Sequence, residues 1–360
     1  MPLDFHAPAS LLAPPKQKSR RKGDNKMGGL NPPRDHQLPG RRRTLQRLGS
    51  LVGLALSPAL VRAAAATPAA WAPEKPITIL VGFAAGGSAD QIARNLASAA
   101  RHKSPVPVVV MNKPGAAGAV AAQIVAQTAP DGYTLFVGGG SETTSLGNHQ
   151  QLSYDPRSSF RAIIKVARLP SVLVVRADSP YADMPALLAA AKAAPETLSY
   201  GSTGHGGIFH STALILEKIS AIKLLHVPYK GAAESMAALA GGQIDMAFGA
   251  PEEVQGLVAG GRLRPIAIFS NSRVDAYPDV PTMTELGYPV AVDNMKGLLA
   301  PKGLPDNAYQ WLFETFHEAM QSPEFQQYAK SSGLSISYAD GPSFQREIND
   351  SFEAIKKAIQ

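Results

Sequence analysis

Three glycine-containing stretches of this chain carry hydroxyl, imidazole or carboxylate side chains at spacings that could serve chemistry. In the first, Ala84-Ala85-Gly86-Gly87-Ser88-Ala89-Asp90 follows the apolar run Ile77–Phe83 and precedes Ile92, Leu96 and Ala99, which recur at helical spacing. The first amides of a helix lack intrahelical partners, and the helix dipole makes that end partly positive. Two glycines let backbone approach a ligand closely, and Ser88 adds a hydroxyl, so the turn suits a carboxylate or a phosphate. The second stretch, Gly138-Gly139-Gly140-Ser141, ends the strand-like run Tyr133–Val137. The third, Gly201-Ser202-Thr203-Gly204-His205-Gly206-Gly207, again stands before a helical pattern. A single glycine corner is often only a tight connection. Several on one chain, behind an export signal, point to a binding cleft.

Catalytic readings of these stretches fail on spacing. A dinucleotide fingerprint needs three spaced glycines, and a phosphate loop needs a Lys-Ser/Thr pair after its glycines; neither is present. Ser141 has Gly139 two residues before it but Thr143 two after, so the nucleophile elbow of a hydrolase is absent, and Ser88 and Ser202 fit no better. An exported α/β hydrolase using Ser88 or Ser141 with His205 therefore remains only a weak alternative. His205 and His210 lack the i, i+4 spacing of a helical metal pair and have no acidic partner nearby; with His226 they read as loop and packing histidines. There is no cysteine, which excludes thiol catalysis, iron–sulfur clusters and Cys-based zinc sites. No catalytic residue, metal site or cofactor is expected.

The elements that position these turns alternate strand and helix, which predicts an α/β fold with mainly parallel sheets. Strands are expected near 106–111, 133–137, 172–175, 198–200, 223–227, 246–248 and 263–269. Helices are expected near 119–128, 183–193, 208–219 and 232–239, with an almost wholly helical tail over 308–321, 323–331 and 343–359. Ligands collect at the carboxyl ends of such strands. Two sets of glycine corners, one near 82–141 and one near 200–250, imply two lobes facing a cleft. No loop is long enough to be a linker, so the chain is expected to cross between lobes inside strands, near Val174–Arg176 and Ala291–Lys296.

Net charge is misleading here. Residues 1–73 hold twelve Lys and Arg against three Asp and Glu, whereas the remaining 287 hold 23 against 25. The nearly neutral body gives nucleic acid no electrostatic footing. Residues 1–40 are rich in Pro, Lys and Arg and read as a disordered or non-native extension, with Met27 a candidate start. Residues 41–73 read as a signal region. Arg41-Arg42-Arg43 and Arg47 precede an apolar stretch from Leu48 to Val61, followed by small residues. That stretch is shorter than the ~20 residues of a membrane span. The pattern predicts export to the periplasm by the general secretory or the twin-arginine route.

The body resembles the Bug-type receptors of the tripartite tricarboxylate transporter family. The matching segments are Pro76–Val81 with Gly86–Asp90, Asn112–Gly118, Ala129–Leu135, Tyr154-Asp155-Pro156, His226–Gly231, Gly241–Asp245, Pro278–Thr282 and Gly297–Pro301, in order over 74–360. The resemblance implies a two-lobed periplasmic binding protein of type II topology, closing on a small organic carboxylate and handing it to membrane permease subunits. It implies a monomer with lobe 1 from 74–175 and 294–360, and lobe 2 from 176–293. A ligand sensor of the same fold is the alternative role. Carried onto this chain, the ligand site comprises Ala85, Gly86, Gly87, Ser88, Asp90, Gly139 and Ser141 from lobe 1. From lobe 2 come Thr203, Gly204, His205, Tyr229, Lys230 and Gly249. Asp90 is expected to order the loop rather than touch ligand. Ala84-Ala85 stands where the family has two prolines, Gly139-Gly140 where it has Thr-Ser, and Gly249 where it commonly has Asp. The loss of that Asp removes a partner for a ligand amine, which predicts a more apolar acid and disfavours amino acids.

Overall fold

The computed structural model describes residues 71–360; the extension over 1–40 and nearly all of the signal region over 41–73 lie outside them. The packed body reaches back to Trp71, whose ring stands 5.5 Å from that of Tyr133 and 5.3 Å from that of Trp311.

Lobe 1 begins with β1 (Ile77–Val81), α1 (Ser88–Ala100), β2 (Val108–Asn112), α2 (Ala119–Ala126) and β3 (Thr134–Gly138). A π-helical turn over Ser141–Ser145 leads to β4 (Phe160–Arg176). Lobe 2 contains α3 (Met184–Ala193), β5 (Ser199–Ser202), α4 (Ile208–Ser220), β6 (Leu225–Pro228) and α5 (Ala232–Ala240). It continues with β7 (Met246–Gly249), α6 (Pro251–Ala259) and β8 (Leu263–Phe269). The chain returns through β9 (Asp293–Pro301), then α7 (Asp306–Gln321), α8 (Pro323–Ser332), β10 (Ile336–Asp340) and α9 (Gly341–Ile359). Strand pairing falls into two groups, β1, β2, β3, β9 and β10 with the first part of β4, and β5, β6, β7 and β8 with its last part, which makes the two lobes.

The sheet is mixed rather than mainly parallel. β1 runs parallel to β2 and β3, and β5 parallel to β6 and β7, but every pairing made by β4 and β9 is antiparallel. The cause is that both crossing strands run through the middle of the structure against their neighbours. β4 pairs with β9 up to Pro170 and with β8 from Ser171 onward, so its change of sheet falls ahead of the Val174–Arg176 position expected from the sequence. On the return path Val292 donates to the Phe269 carbonyl in lobe 2, and Asn294 already pairs with Leu169.

Beyond the switch β4 is apolar on both faces, as a strand covered on both sides must be. Leu173 and Val175 join the core beneath α3 and α4, while Val172 and Val174 face α5 and α6. In lobe 1, Ile79, Val81, Ile92, Leu96 and Phe316 form the core on one face, and Leu80, Val125, Phe136 and Phe344 that on the other. The tail is less helical than the sequence predicts, because β10 adds an antiparallel edge to β4. Helix α9 serves both lobes. Phe344 and Ile348 pack into lobe 1, Ile355 packs into the lobe 2 core, and Lys218 donates to the Ala358 carbonyl.

Candidate functional site

The corner before α1 is held from within lobe 1. Gly86 has φ +87°, a left-handed conformation that costs glycine little, and its amide donates to Asp90 Oδ2 at 2.9 Å. Asp90 is 3% exposed and also accepts from Arg94 Nε at 3.0 Å and from Asn112 Nδ2 at 2.8 Å. Burial raises its carboxyl, but the hydrogen bonds from Arg94, Gly86 and Asn112 outweigh that effect and hold it below the ordinary carboxylate value. The carboxylate is therefore spent on the loop.

The free end of α1 holds a carboxylate from the other lobe. Ser88 donates its amide (3.2 Å) and its hydroxyl (2.9 Å) to Oε1 of Glu253. Glu253 lies in the first turn of α6, and its Oε2 accepts from the Ala250 amide at 2.9 Å, as an acidic residue at N3 does in a capping box. The neighbouring Glu252 has both carboxylate oxygens buried and without a hydrogen bond among the described residues. Burial, reinforced by the charge of Glu253, pushes its pKa up to about 8.

Two lobe 1 side chains on β9 complete the inner chamber. Lys296 is 3% exposed, donates to Asn294 Oδ1 at 2.9 Å and stands 5.6 Å from the Phe83 ring centroid. It forms no salt bridge to a carboxylate among the described residues. Across from it Ser141 Oγ accepts the Ile208 amide at 2.9 Å. The chamber bounded by Phe83, Ser88, Thr203, Glu253 and Lys296 has a volume of about 30 Å³, space for one water molecule.

Phe83 and Thr203 also line an outer cavity of about 410 Å³, where Gly204, His205, Tyr229 and Lys230 meet Ala116 and Ala117. Behind His205 four imidazoles crowd together. The His210 ring lies 4.3 Å from His226, 4.6 Å from His205 and 5.4 Å from His149. Burial first, and then the neighbouring rings, lower His210 to about 3; burial and His205 lower His226 to about 4 and shift His149 the same way. No three His, Asp or Glu side chains converge on a metal position among the described residues.

The residues singled out in the sequence thus separate into groups. Ala85, Gly87, Ser88, Ser141 and Thr203 line the inner chamber, and Thr203, Gly204, His205, Tyr229 and Lys230 the outer cavity. Gly86 shapes the loop without lining either space. Asp90 is enclosed in lobe 1; Gly139 lies behind the chamber against Phe344; Gly249 sits beneath Met236 and Glu253. Sequence reasoning missed Phe83, Asn294, Lys296 and Glu253. The available signals were Pro251-Glu252-Glu253 opening a helix after a strand, and one lysine before the apolar run Gly297–Ala300.

Residues 92–360 match the model of the tripartite tricarboxylate transporter family receptor. The chain belongs to this family. It is 31% identical to protein BugT of Bordetella pertussis over 281 residues, covering 77% of this chain and 86% of BugT. Among solved structures, the periplasmic binding protein BugD superposes with a TM-score of 0.72 at 30% identity, covering 79% of this chain and 96% of BugD. An R. palustris protein solved with adipate superposes with a TM-score of 0.73 at 25% identity, covering 80% and 98%. The family consists of transporter substrate-binding receptors and not enzymes, and its members include periplasmic binding proteins. The hydrolase alternative has no support.

Proposed function

We propose that this chain is a periplasmic receptor whose lobes close on a small organic carboxylate and deliver it to membrane permease subunits. The observation that carries the reading is that the Ser88 amide and hydroxyl already grip a carboxylate, that of Glu253. A helix N-terminus with an added hydroxyl holds such a group by charge-assisted hydrogen bonds. A ligand carboxylate takes the place of Glu253 Oε1 on Ser88, beside Ala85 and Gly87. Ser141 and Thr203 provide neutral contacts, and Lys296 supplies the positive charge. The adipate-bound relative is consistent with a carboxylate ligand. Closure pivots where the sheet pairing changes, near Pro170–Ser171 and Val292–Asp293.

A thermal-shift panel of mono-, di- and tricarboxylates, aromatic acids and amino acids tests the reading. A ligand at a hundredfold excess over Kd stabilises by about 2.7 kcal/mol. A selective rise in melting temperature that Ser88→Ala, which removes the hydroxyl and keeps the amide, clearly reduces is expected. A flat response across the panel, or a shift that S88A leaves intact, contradicts the assignment.

A further inference from the structure

We propose that Glu253 makes this cleft select carboxylates with an ammonium group beside the carboxylate, that is, zwitterionic amino acids. The inference rests on the carboxylate-receptor reading above.

A ligand carboxylate that replaces Oε1 on Ser88 does not remove Glu253 from the cleft. Oε2 is held to its own helix by the Ala250 amide, so the Glu253 carboxylate stays beside whatever occupies Ser88. Two adjacent carboxylates repel unless a positive donor lies between them. An α-ammonium group is one carbon from its own carboxylate and meets Glu253 while the carboxylate meets Ser88. The charges of the chamber agree. The chamber sets one acidic side chain, Glu253, against one basic side chain, Lys296. A zwitterion leaves that balance unchanged; a dicarboxylate adds two negative charges against one lysine.

The carboxylate that the sequence reading found missing at Gly249 is supplied from four residues downstream. Oε2 of Glu253 lies 3.6 Å from where a Cβ on Gly249 would stand. The expectation that the cleft lacks a partner for a ligand amine therefore fails on geometry, and the bias against amino acids goes with it.

The test is calorimetric titration with the common α-amino acids, each paired with the acid lacking only the amine, such as glutamate with glutarate or norvaline with valerate. The wild type should bind the amine-bearing member at least tenfold more tightly. Glu253→Gln, which still offers an acceptor to Ala250, should lose roughly ten- to hundredfold for the amino acid, the loss expected of a hydrogen bond to a charged group. It should also bind the amine-free acid more tightly. Glu253→Asp, which keeps the charge, should preserve the order. A wild type that prefers amine-free acids, or an E253Q variant that keeps the amino-acid preference, overturns the proposal and leaves the receptor reading standing. No binding by either member of any pair, in folded wild type and variants, refutes the receptor reading itself.

Discussion

At the start of α1 and at the start of α4 the chain makes the same turn. A glycine in the left-handed region (Gly86, φ +87°; Gly206, φ +71°) is followed by an extended glycine at the N-cap (Gly87, Gly207) and a helix of 13 residues. In both, the first glycine donates its amide to the side chain four residues on, Asp90 or His210. In both, the first helical amide reaches across to the opposite lobe. There the likeness ends. Ser88 adds a hydroxyl and holds the charged Glu253, whereas Ile208 adds a methyl-bearing side chain and its amide is satisfied by the neutral Ser141 hydroxyl. A glycine corner thus makes amides available without choosing a ligand. The first helical side chain and the facing group decide whether the corner takes an anion.

The comparison breaks most visibly at the two locking side chains. Asp90→Ala leaves the Gly86 amide, Asn112 Nδ2 and Arg94 without their acceptor, and should cost about 3 kcal/mol in urea unfolding together with carboxylate binding. His210→Ala removes one acceptor and an uncharged ring, and should cost about 2 kcal/mol while leaving carboxylate binding within a few-fold of wild type. Equal loss of binding in both variants would erase the distinction between the corners.

Acidification sharpens it. His210, His226 and His149 have folded pKa values below 6.5, so the unfolded chain binds more protons and their contribution is fully present above pH 6.5. It is lost as pH falls from 6.5 toward 3 to 4. Melting temperature should drop across that range, and His210→Ala should flatten part of the drop. The opposite pH dependence is expected at Glu252, whose folded pKa is raised to about 8. The folded state holds the extra proton, so this residue costs stability as pH rises from 4.5 to 8. Glu252→Gln should raise the melting temperature by a few degrees at pH 8 and leave it nearly unchanged at pH 5.

Local signals made the glycine corners legible. The run Ile77–Val81, the turn and the periodic Ile92 and Leu96 carry strand, corner and helix in consecutive residues, and Ser88 lines the inner chamber. Long-range pairing hid the rest. β4 runs from Phe160, but Arg161, Lys165, Arg168 and Pro170 interrupt its apolar pattern, so only its last residues read as a strand. Lys165 is buried in that strand because Glu347, far along the chain on α9, pairs with it. Glu253 was invisible for the same reason: it meets Ser88 across 165 positions of sequence. Lys296 reads as a stray surface charge until β9 is placed in the middle of the sheet.

The most direct test of the central claim is a crystal structure of the protein with whichever carboxylate stabilises it most. The ligand carboxylate should lie within hydrogen-bond distance of the Ser88 amide and hydroxyl, with Glu253 Oε1 displaced from Ser88 and Oε2 still on Ala250. A ligand seated elsewhere, with Glu253 still bound to Ser88, would contradict the account.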